Sequence, residues 1–421
     1  MDNFPHGSRR GGTLALRVHG GTRGLRHGGW IVHPMVKPAL RRAWRNLRYV
    51  QFGVTPAHAV VLGPVDPATG SLIGLLDGTR GMELLRAAAR ALGLPDGHLE
   101  ALLGRLSAAG LIADASVRPP GGPPGAGASA EAAGRADPEL DPVRADLASL
   151  SVVHHAPDGA ARTLAARRAQ RVQVRGAGRV GAAVAALLSA AGVGRVEVPD
   201  SGTVAPWEVA PGGLPAEAVG ERRAVAARRL VGRSAPGGRT VREPDRVTGD
   251  EGGEAGWSLV VVAPRDGLGA YVPDPLPAER WLATGTPHLY AGVLEATGVV
   301  GPLVLPGGTA CAGCAQQERA DREPVWPRLP AQWRSGRPHA LPACDVALAS
   351  AVAGLAAAHA LAFLDGDLPS STGARWEVSL PLLEWRSAPV RAHPACPCGA
   401  RSAAEREHAS AVEDGHDTMA G

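Results

Sequence analysis

In the second half of the chain, short apolar runs alternate with longer stretches of helical periodicity. Residues 171–175 alternate apolar and polar side chains as a strand does, and residues 258–263 form a continuous apolar strand of the kind that helices cover. The pattern of apolar and polar residues also predicts a helix at 180–191 and further strands at 195–198, 288–293 and 299–305. Alternating strands and helices predict an α/β domain with a mostly parallel sheet.

A smaller unit of mixed helices and strands is predicted for residues 35–116. Residues 50–54 are a short strand, and residues 59–62 and 72–76 flank a Pro/Asp/Gly-rich segment typical of a hairpin. Leucine spacing predicts two helices, at 81–92 and 98–109. Strands and short helices of this size indicate a winged-helix-like α+β domain.

Composition marks the remaining boundaries. Residues 117–140 are rich in Pro, Gly and Ala and are expected to be a linker, while residues 400–421 are expected to be a disordered tail. Residues 1–34 lack the apolar region of a secretory signal peptide and are expected to be a disordered extension. The apolar stretch 346–363 contains a histidine and many alanines. It is therefore expected to be a buried helix, and no membrane association is expected.

The charge balance argues against nucleic acid as the main partner. Lys and Arg number 44 and Asp and Glu 40, a formal charge of +4, which is too small an excess for a nucleic-acid footprint. One basic segment stands out, comprising Arg41, Arg42, Arg45 and Arg48. It could meet DNA phosphates or an acidic leader peptide, although a solvated helix face is the simpler interpretation.

A glycine-rich loop follows the strand at 171–175. Gly176, Gly178 and Gly181 form G-x-G-x-x-G at the opening of the next helix, which is the context of a Rossmann-type nucleotide loop. Asp200 ends the second strand at the position of a ribose-binding acid. The same residues also allow a structural interpretation, in which the glycines pack helix against strand and Asp200 caps the strand end through backbone amides.

Four of the five cysteines form two close pairs. Cys311 and Cys314 make a C-x-x-C knuckle, and Cys396 and Cys398 make a tighter C-x-C knuckle. Four thiolates in two pairs match a structural zinc site with no position left for a catalytic water. The clustering argues against a secreted disulfide framework and favours a cytoplasmic protein.

Taken in order, these motifs resemble the ThiF/MoeB/HesA family, relatives of the ubiquitin-activating enzymes. The resemblance covers roughly residues 165–399 and is carried by the glycine loop and by three further tracts: AAGVGRVEVPD at 190–200, GPLVLPGGTACAGC at 301–314 and CDVALASAVAGL at 344–355. The small first domain with the C-x-C ending resembles members found beside cyclodehydratases for thiazole/oxazole-modified peptides. There the first domain recognises a precursor peptide by adding a strand to its sheet.

Active members of this family use ATP and Mg²⁺ to adenylate the C-terminal carboxylate of a small carrier protein. By this resemblance Asp200 is the ribose-side acid and Arg223 replaces a lysine of the ATP site. The second acid is Gly202 here. The family's phosphate-binding arginine is missing, since its position falls near Pro211 and no Arg lies between Asp200 and Glu221. The strand at 258–262 runs into Ala263-Pro264-Arg265 without the acid that holds Mg²⁺. The resemblance therefore implies the fold and predicts a degenerate ATP/Mg²⁺ site.

Cys344 is the only cysteine outside the two knuckles. It stands at the predicted start of a helix, whose dipole would lower the pKa of its thiol. It could then form a thioester or a persulfide with a carrier, although a small buried residue is the simpler interpretation. His154, His155 and His288 have no partners at metal-ligand spacing and are expected to be structural or surface residues.

Several functions remain open at this point. A scaffold would bind a peptide or small carrier protein and present it to a cyclodehydratase-type partner enzyme, with a homodimer expected from the family. An active adenylyltransferase would need Asp266 or Asp245 as a relocated Mg²⁺ ligand. A winged-helix DNA-binding regulator is weakly supported, because the helix at 98–109 offers only Arg105 for base reading. A dehydrogenase would leave the four cysteines unexplained.

Overall fold

The computed structural model describes residues 31–117, 141–238, 256–335 and 341–400. The predicted linker 117–140 and tail 400–421 fall outside these ranges except for Val117 and Ala400, and so does most of the predicted extension 1–34. The first strand begins at Pro34, just before the predicted boundary.

The first described range folds into two small antiparallel sheets and three helices. Its strands are β1 (Pro34–Val36), β2 (Arg42–Asn46), β3 (Tyr49–Phe52), β4 (Val60–Leu62) and β5 (Ile112–Asp114). Its helices are α1 (Pro67–Gly74), α2 (Met82–Ala91) and α3 (His98–Ala108). Strands β2, β3 and β4 form one sheet in that order, and β1 pairs with β5.

Two predictions for this part were wrong. Residues 72–76 do not form the second strand of a hairpin, because α1 runs through Gly74. Asp66 caps that helix by accepting the Thr69 N–H at 2.7 Å, and Pro67 occupies its first turn. The arginine-rich segment is not a helix face either, because residues 42–46 pair with β3 as strand β2.

The remaining ranges contain the larger α/β unit. Its strands are β6 (Arg171–Arg175), β7 (Arg195–Glu197), β8 (Leu259–Val262), β9 (His288–Leu294), β10 (Thr297–Val304), β11 (Ala374–Ser379) and β12 (Arg386–Pro389). Its helices are α4 (Arg144–Val153), α5 (Gly159–Ala169), α6 (Arg179–Ala190), α7 (Arg223–Ser234), α8 (Leu268–Tyr271), α9 (Pro275–Ala283), α10 (Ala312–Arg322), α11 (Arg328–Ser335) and α12 (Val346–Leu364).

All seven of these strands form one sheet in the order β12-β11-β10-β9-β8-β6-β7. Strands β9, β8, β6 and β7 run parallel, which confirms the predicted α/β architecture. Strands β10 to β12 extend it antiparallel. The carboxyl ends of the parallel strands therefore meet at one edge, where α/β proteins place their ligands.

Helices α6 and α12 pack together against the sheet and form the largest core cluster. By length and composition α12 could cross a membrane, yet one side of it is buried in that cluster through residues such as Leu348, Val352 and Ala356. Alanine has no side chain beyond Cβ, so the two helices approach closely. The predicted buried helix is confirmed.

Lys37 joins the first described range to the larger unit. It is the sole lysine of the chain, and its side chain is only 1% exposed. Its ammonium donates to the carbonyls of His154 (3.0 Å) and His155 (3.5 Å), which follow α4. The His155 ring also fills the space beside Gly110, where a Cβ would lie 2.6 Å from the ring. Burial lowers the pKa of Lys37 to about 8.

We expect the buried Lys37 to give the free energy of unfolding a distinct pH dependence. The folded chain holds the lysine proton more weakly than the unfolded chain between pH 8 and 10.5, so stability should rise as pH increases through this window. Between pH 7 and 11 the free energy of unfolding of wild type should increase by about 3 kcal/mol more than that of Lys37→Met. Denaturant unfolding of both proteins measures the difference, and a difference that does not change with pH would contradict this account.

Candidate functional site

The glycine loop lies between β6 and α6, at the carboxyl edge of the parallel strands. Gly176 has φ +115°, and a Cβ there would lie 2.0 Å from the Ala263 carbonyl oxygen at the end of β8. A Cβ on Gly181 would lie 1.9 Å from the Gly176 carbonyl oxygen. Both positions need glycine because backbone atoms occupy the space of a side chain. The glycine loop is thereby packed closely against the end of β8 and against the first turn of α6.

Asp200 lies beside this loop and binds its backbone. Its Oδ2 accepts the N–H of Ala177 at 2.7 Å, and its Oδ1 accepts the N–H of Ser201 at 2.6 Å. The side chain is 7% exposed. Both carboxylate oxygens thus already accept main-chain hydrogen bonds, which is the capping arrangement that the sequence left open.

Arg223 forms a buried ion pair with Glu208. Its Nε lies 2.8 and 3.1 Å from the two Glu208 oxygens, and its Nη1 donates to the Ser201 carbonyl at 2.7 Å. Glu208 also accepts the Ala205 N–H at 2.8 Å. Removing one partner of a buried pair costs ~3–5 kcal/mol. Arg223 therefore stabilises the segment after Asp200, and its guanidinium donates its hydrogen bonds to groups of the protein itself.

Arg265 closes the other side of the glycine loop. Its Cα lies 3.2 Å from where a Cβ on Gly178 would be, so its backbone packs against the loop. Its guanidinium is 3.7 Å from Asp200 and 3.8 Å from Glu208, and the side chain is 41% exposed. Arg265 thus stands beside the strand end where the family resemblance places the Mg²⁺ ligand.

Asp266 is bound to backbone in this arrangement. Its Oδ1 accepts the Leu268 N–H at 3.1 Å, at the start of α8. The second candidate for a relocated ligand, Asp245, lies outside the described residues.

Four charged groups therefore neutralise one another beside the loop, and we call them the charge quartet: Asp200, Glu208, Arg223 and Arg265. Sequence reasoning found only two of them as site residues. Glu208 gave no local signal, since its partner lies fifteen residues later on α7. Arg265 gave none as a site residue, because its partners Asp200 and Glu208 lie far from it in the sequence. Each carboxylate of the quartet already has cationic and amide partners, which makes a poor site for a divalent cation.

Cys344 lies just outside α12, whose N-cap is Asp345. The Arg179 guanidinium at the start of α6 donates to the Cys344 carbonyl at 2.6 Å, which brings the cysteine near the glycine loop. Burial raises the pKa of the Cys344 thiol, and the charge of Arg179 only partly opposes it. The expected lowering of this pKa was wrong in direction, because desolvation outweighs the nearby positive charges.

His288 begins β9 and is completely buried. Its ring lies between those of Trp281 and Tyr290, with centroid distances of 5.1 and 5.6 Å. Burial lowers the pKa of His288 to about 4, so the ring is neutral at physiological pH. His288 is a core residue on the face of the seven-stranded sheet opposite α12, in keeping with the structural role expected for it.

The two cysteine knuckles meet in space. The Sγ atoms of Cys311 and Cys314 are 3.9 Å apart, Cys311 and Cys396 are 3.6 Å apart, and Cys314 and Cys398 are 3.5 Å apart. All four sulfurs lie within 4.8 Å of one another. Tetrahedral zinc with Zn–S bonds of ~2.3 Å requires sulfurs about 3.8 Å apart, whereas a disulfide requires about 2.05 Å. The cluster has the geometry of a metal site.

Local structure explains how this cluster forms. Cys311 is the N-cap of α10 and Cys314 lies in its first turn, while the other two cysteines follow β12. A Cβ on Gly313 would lie 3.1 Å from Cys396 Sγ, so glycine leaves room for the second knuckle. The hydrogen bond donated by the Cys311 thiol lowers the pKa of Cys314. A lowered thiol pKa favours the thiolate, which is the form that binds a metal cation.

Comparison with known proteins identifies the family. The family model described as ThiF matches residues 156–398, more than half of the chain. This chain belongs to the ThiF family. The match spans the glycine loop, the charge quartet and all four clustered cysteines. No curated protein matches this ThiF-family chain significantly by sequence.

Solved structures share the fold. E. coli MccB crystallised with ATP has a TM-score of 0.59 at 14% identity, covering 87% of this chain and 99% of MccB. PaaA has a TM-score of 0.58 at 16% identity, covering 84% of this chain and 98% of PaaA. The heterocyclase TruD has a TM-score of 0.53 at 17% identity, covering 88% of this chain but 43% of TruD.

We expect the purified protein to carry one zinc ion per chain. Cys314→Ser and Cys398→Ser should lose the metal and lower the melting temperature, because structural zinc contributes directly to folding free energy. Cys344→Ser is the matched control and should keep the metal. Metal content by mass spectrometry and thermal melting provide the measurements, and a wild-type protein free of metal would rule the site out.

Proposed function

We propose that this ThiF-family protein is a scaffold that binds a peptide or small carrier protein and presents it to a partner enzyme. The observation that carries the proposal is the charge quartet. In it Asp200 and Arg223, the groups expected to serve a nucleotide, are bound to the backbone and to two further charged residues, Arg265 and Glu208.

The physical argument concerns charge. Transfer at a phosphate requires metal ions and cations that neutralise the developing negative charge. Here Arg223 is bound to Glu208 and the Ser201 carbonyl. The strand end that would supply a Mg²⁺ ligand leads instead to Arg265, a cation. An active adenylyltransferase would have to break these contacts before it could hold Mg²⁺-ATP.

The relatives by fold suggest the kind of partner. MccB has been crystallised with MccA, and TruD is a heterocyclase. Together with the added first domain, this favours a precursor peptide of the thiazole/oxazole-modified class as the bound molecule and a cyclodehydratase-type enzyme as the partner. In this proposal the cysteine cluster holds a structural zinc ion, and the protein works in the reducing cytoplasm.

Nucleotide turnover separates the scaffold from an active enzyme. Wild type and Asp200→Ala should both release no AMP from Mg²⁺-ATP above background, and neither should catalyse pyrophosphate exchange. The measurement is radiolabelled AMP release and exchange by the zinc-loaded, full-length protein. AMP release by wild type that Asp200→Ala abolishes would overturn the scaffold and establish the adenylyltransferase.

A homodimer is part of the proposal, and α12 offers a surface for it. The side of this helix away from the core exposes Ala347, Ala351, Gly354 and Ala358, and the helix contains no Asp, Glu, Lys or Arg. An exposed helix face without charge is unusual for a surface that meets only water. Small residues would let the same helix of a second copy approach closely.

We expect Gly354→Arg to convert the dimer into a monomer. A Cβ at Gly354 meets nothing within 4 Å, so the arginine is accommodated in the single chain but introduces charge into the contact. Ala87→Arg, at an exposed position of α2, is the control and should remain dimeric. Light scattering after size-exclusion chromatography reports the mass, and a Gly354→Arg protein that stays dimeric would exclude this surface.

A further inference from the structure

Tyr290 packs against the cysteine cluster from β9. Side chains alternate along this strand, so Leu289 and Ala291 join the core shared with α12, and Tyr290 faces the other side of the sheet. There Tyr290 lies in one buried group with Cys311 and Cys314, against which the other two cysteines of the cluster also pack. The tyrosine is only 2% exposed. It therefore belongs to the immediate surroundings of the expected metal.

The hydroxyl of Tyr290 has no hydrogen-bond partner in the described part of the chain, and its oxygen is shielded from solvent. Native structures rarely leave a buried hydroxyl unsatisfied. The ring is fixed in place, because the His288 ring stands edge-on to it with 5.6 Å between the two centroids. The hydroxyl can turn its hydrogen, but its oxygen cannot move far to find a partner. It therefore needs an acceptor or a donor close to its present position.

Cys311 becomes an acceptor when the cluster binds a cation. In the structure the Cys311 thiol donates to Cys314, with 3.9 Å between the two sulfurs. The thiols release their protons to solvent when a metal binds, and each sulfur becomes a thiolate. Cys311 then carries negative charge at a position that is 3% exposed. Four thiolates exceed the charge of one Zn²⁺, so nearby hydrogen-bond donors stabilise the loaded site.

The charges around the hydroxyl favour its role as a donor. Burial raises the pKa of Tyr290, and the negative charges of Cys311 and Asp274 raise it further. The phenol therefore keeps its proton at neutral pH, and Cys311 lies close enough to act on it electrostatically. Asp274 is already engaged as the N-cap of α9, where its Oδ1 accepts the Leu276 N–H at 3.1 Å. A thiolate at Cys311 is thus the acceptor that metal binding adds beside this donor.

We propose that the Tyr290 hydroxyl donates a hydrogen bond to the Cys311 thiolate of the metal-loaded cluster and thereby stabilises the metal site. This inference rests on the structural zinc ion of the proposed function and assigns a positioning residue outside the four ligands. The donated hydrogen bond withdraws charge from the sulfur, while the tyrosine itself does not touch the metal. Tyr290 thus acts on the zinc ion through Cys311.

Two other groups compete for this hydrogen bond. His288 Nε2 is buried and also lacks a partner within the described ranges, and Asp274 has a second carboxylate oxygen. If either of them were the partner, Tyr290 would stabilise the fold alone, and the thiolates would not sense the loss of its hydroxyl. The tests therefore read the metal–sulfur bond in addition to stability.

The spectroscopic test compares full-length Tyr290→Phe with wild type after cobalt(II) replaces zinc. Phenylalanine keeps the ring and its packing and removes only the hydroxyl. The sulfur-to-cobalt charge-transfer band should move to longer wavelength, because the Cys311 sulfur loses a hydrogen bond and gives up an electron more easily. Tyr271→Phe is the matched control and should leave the band in place, since that ring contacts Arg319 and Arg375 and is outside the group around the cysteines. An unshifted band in Tyr290→Phe would overturn the proposal.

Zinc affinity provides an independent readout. Tyr290→Phe should weaken zinc binding on the order of tenfold, which is the lower end of the effect of an outer hydrogen-bond partner on metal affinity. Tyr271→Phe should keep the affinity of wild type. Competition with a chromogenic chelator measures the affinities, and melting curves of the loaded proteins establish that each variant folds. Equal zinc affinities in wild type and Tyr290→Phe would contradict the role of the hydroxyl.

A measurement on wild type needs no substitution. In the chain loaded with an NMR-active cadmium isotope, the hydroxyl proton of Tyr290 should exchange slowly and show scalar coupling to the metal through the Cys311 sulfur. Coupling of this proton to a ring nitrogen of His288 instead, or its absence at the metal, would overturn the proposal. A chain that takes up no metal would refute the zinc site itself, whereas a loaded chain without the coupling contradicts only this inference.

Discussion

The close approach of the Gly176 backbone to the Ala263 carbonyl determines the geometry of the candidate site. It draws the end of β8 against the glycine loop, with no room for even a methyl group between them. The residues that follow β8 must then pass directly beside the loop, and Arg265 comes to face Asp200 there. In the ThiF fold, the identity of the residue at this turn therefore decides the charge beside the loop.

A chain can keep such a fold while its site changes in chemistry. The glycine loop of this protein has the close packing that the nucleotide fold requires, yet its neighbouring charges are balanced internally. Buried acids are stable only when paired, and the Glu208–Arg223 ion pair meets that need with protein groups alone. The ThiF fold is thus compatible with a set of charges that is balanced beside the glycine loop.

The first domain and the segment after β12 are held to the larger unit in different ways. The cysteine cluster brings the segment after β12 onto α10, so a single metal would tie distant parts of the larger unit together. The first domain is held through the buried ammonium of Lys37, which reaches the carbonyls after α4. Its basic strand β2 remains exposed.

Local patterns in the sequence determined the elements and the two cysteine knuckles, because strand alternation, helical spacing and ligand spacing are properties of neighbouring residues. Strand β6 and helix α12 were predicted on this basis. Tertiary structure alone decided the pairing of Glu208 with Arg223 and the raised pKa of Cys344, since ion pairs and desolvation depend on residues far apart in the chain. The strand predicted at residues 72–76 failed for a related reason: a short apolar run fits a strand or a helix equally well, and the cap at Asp66 together with packing selected the helix.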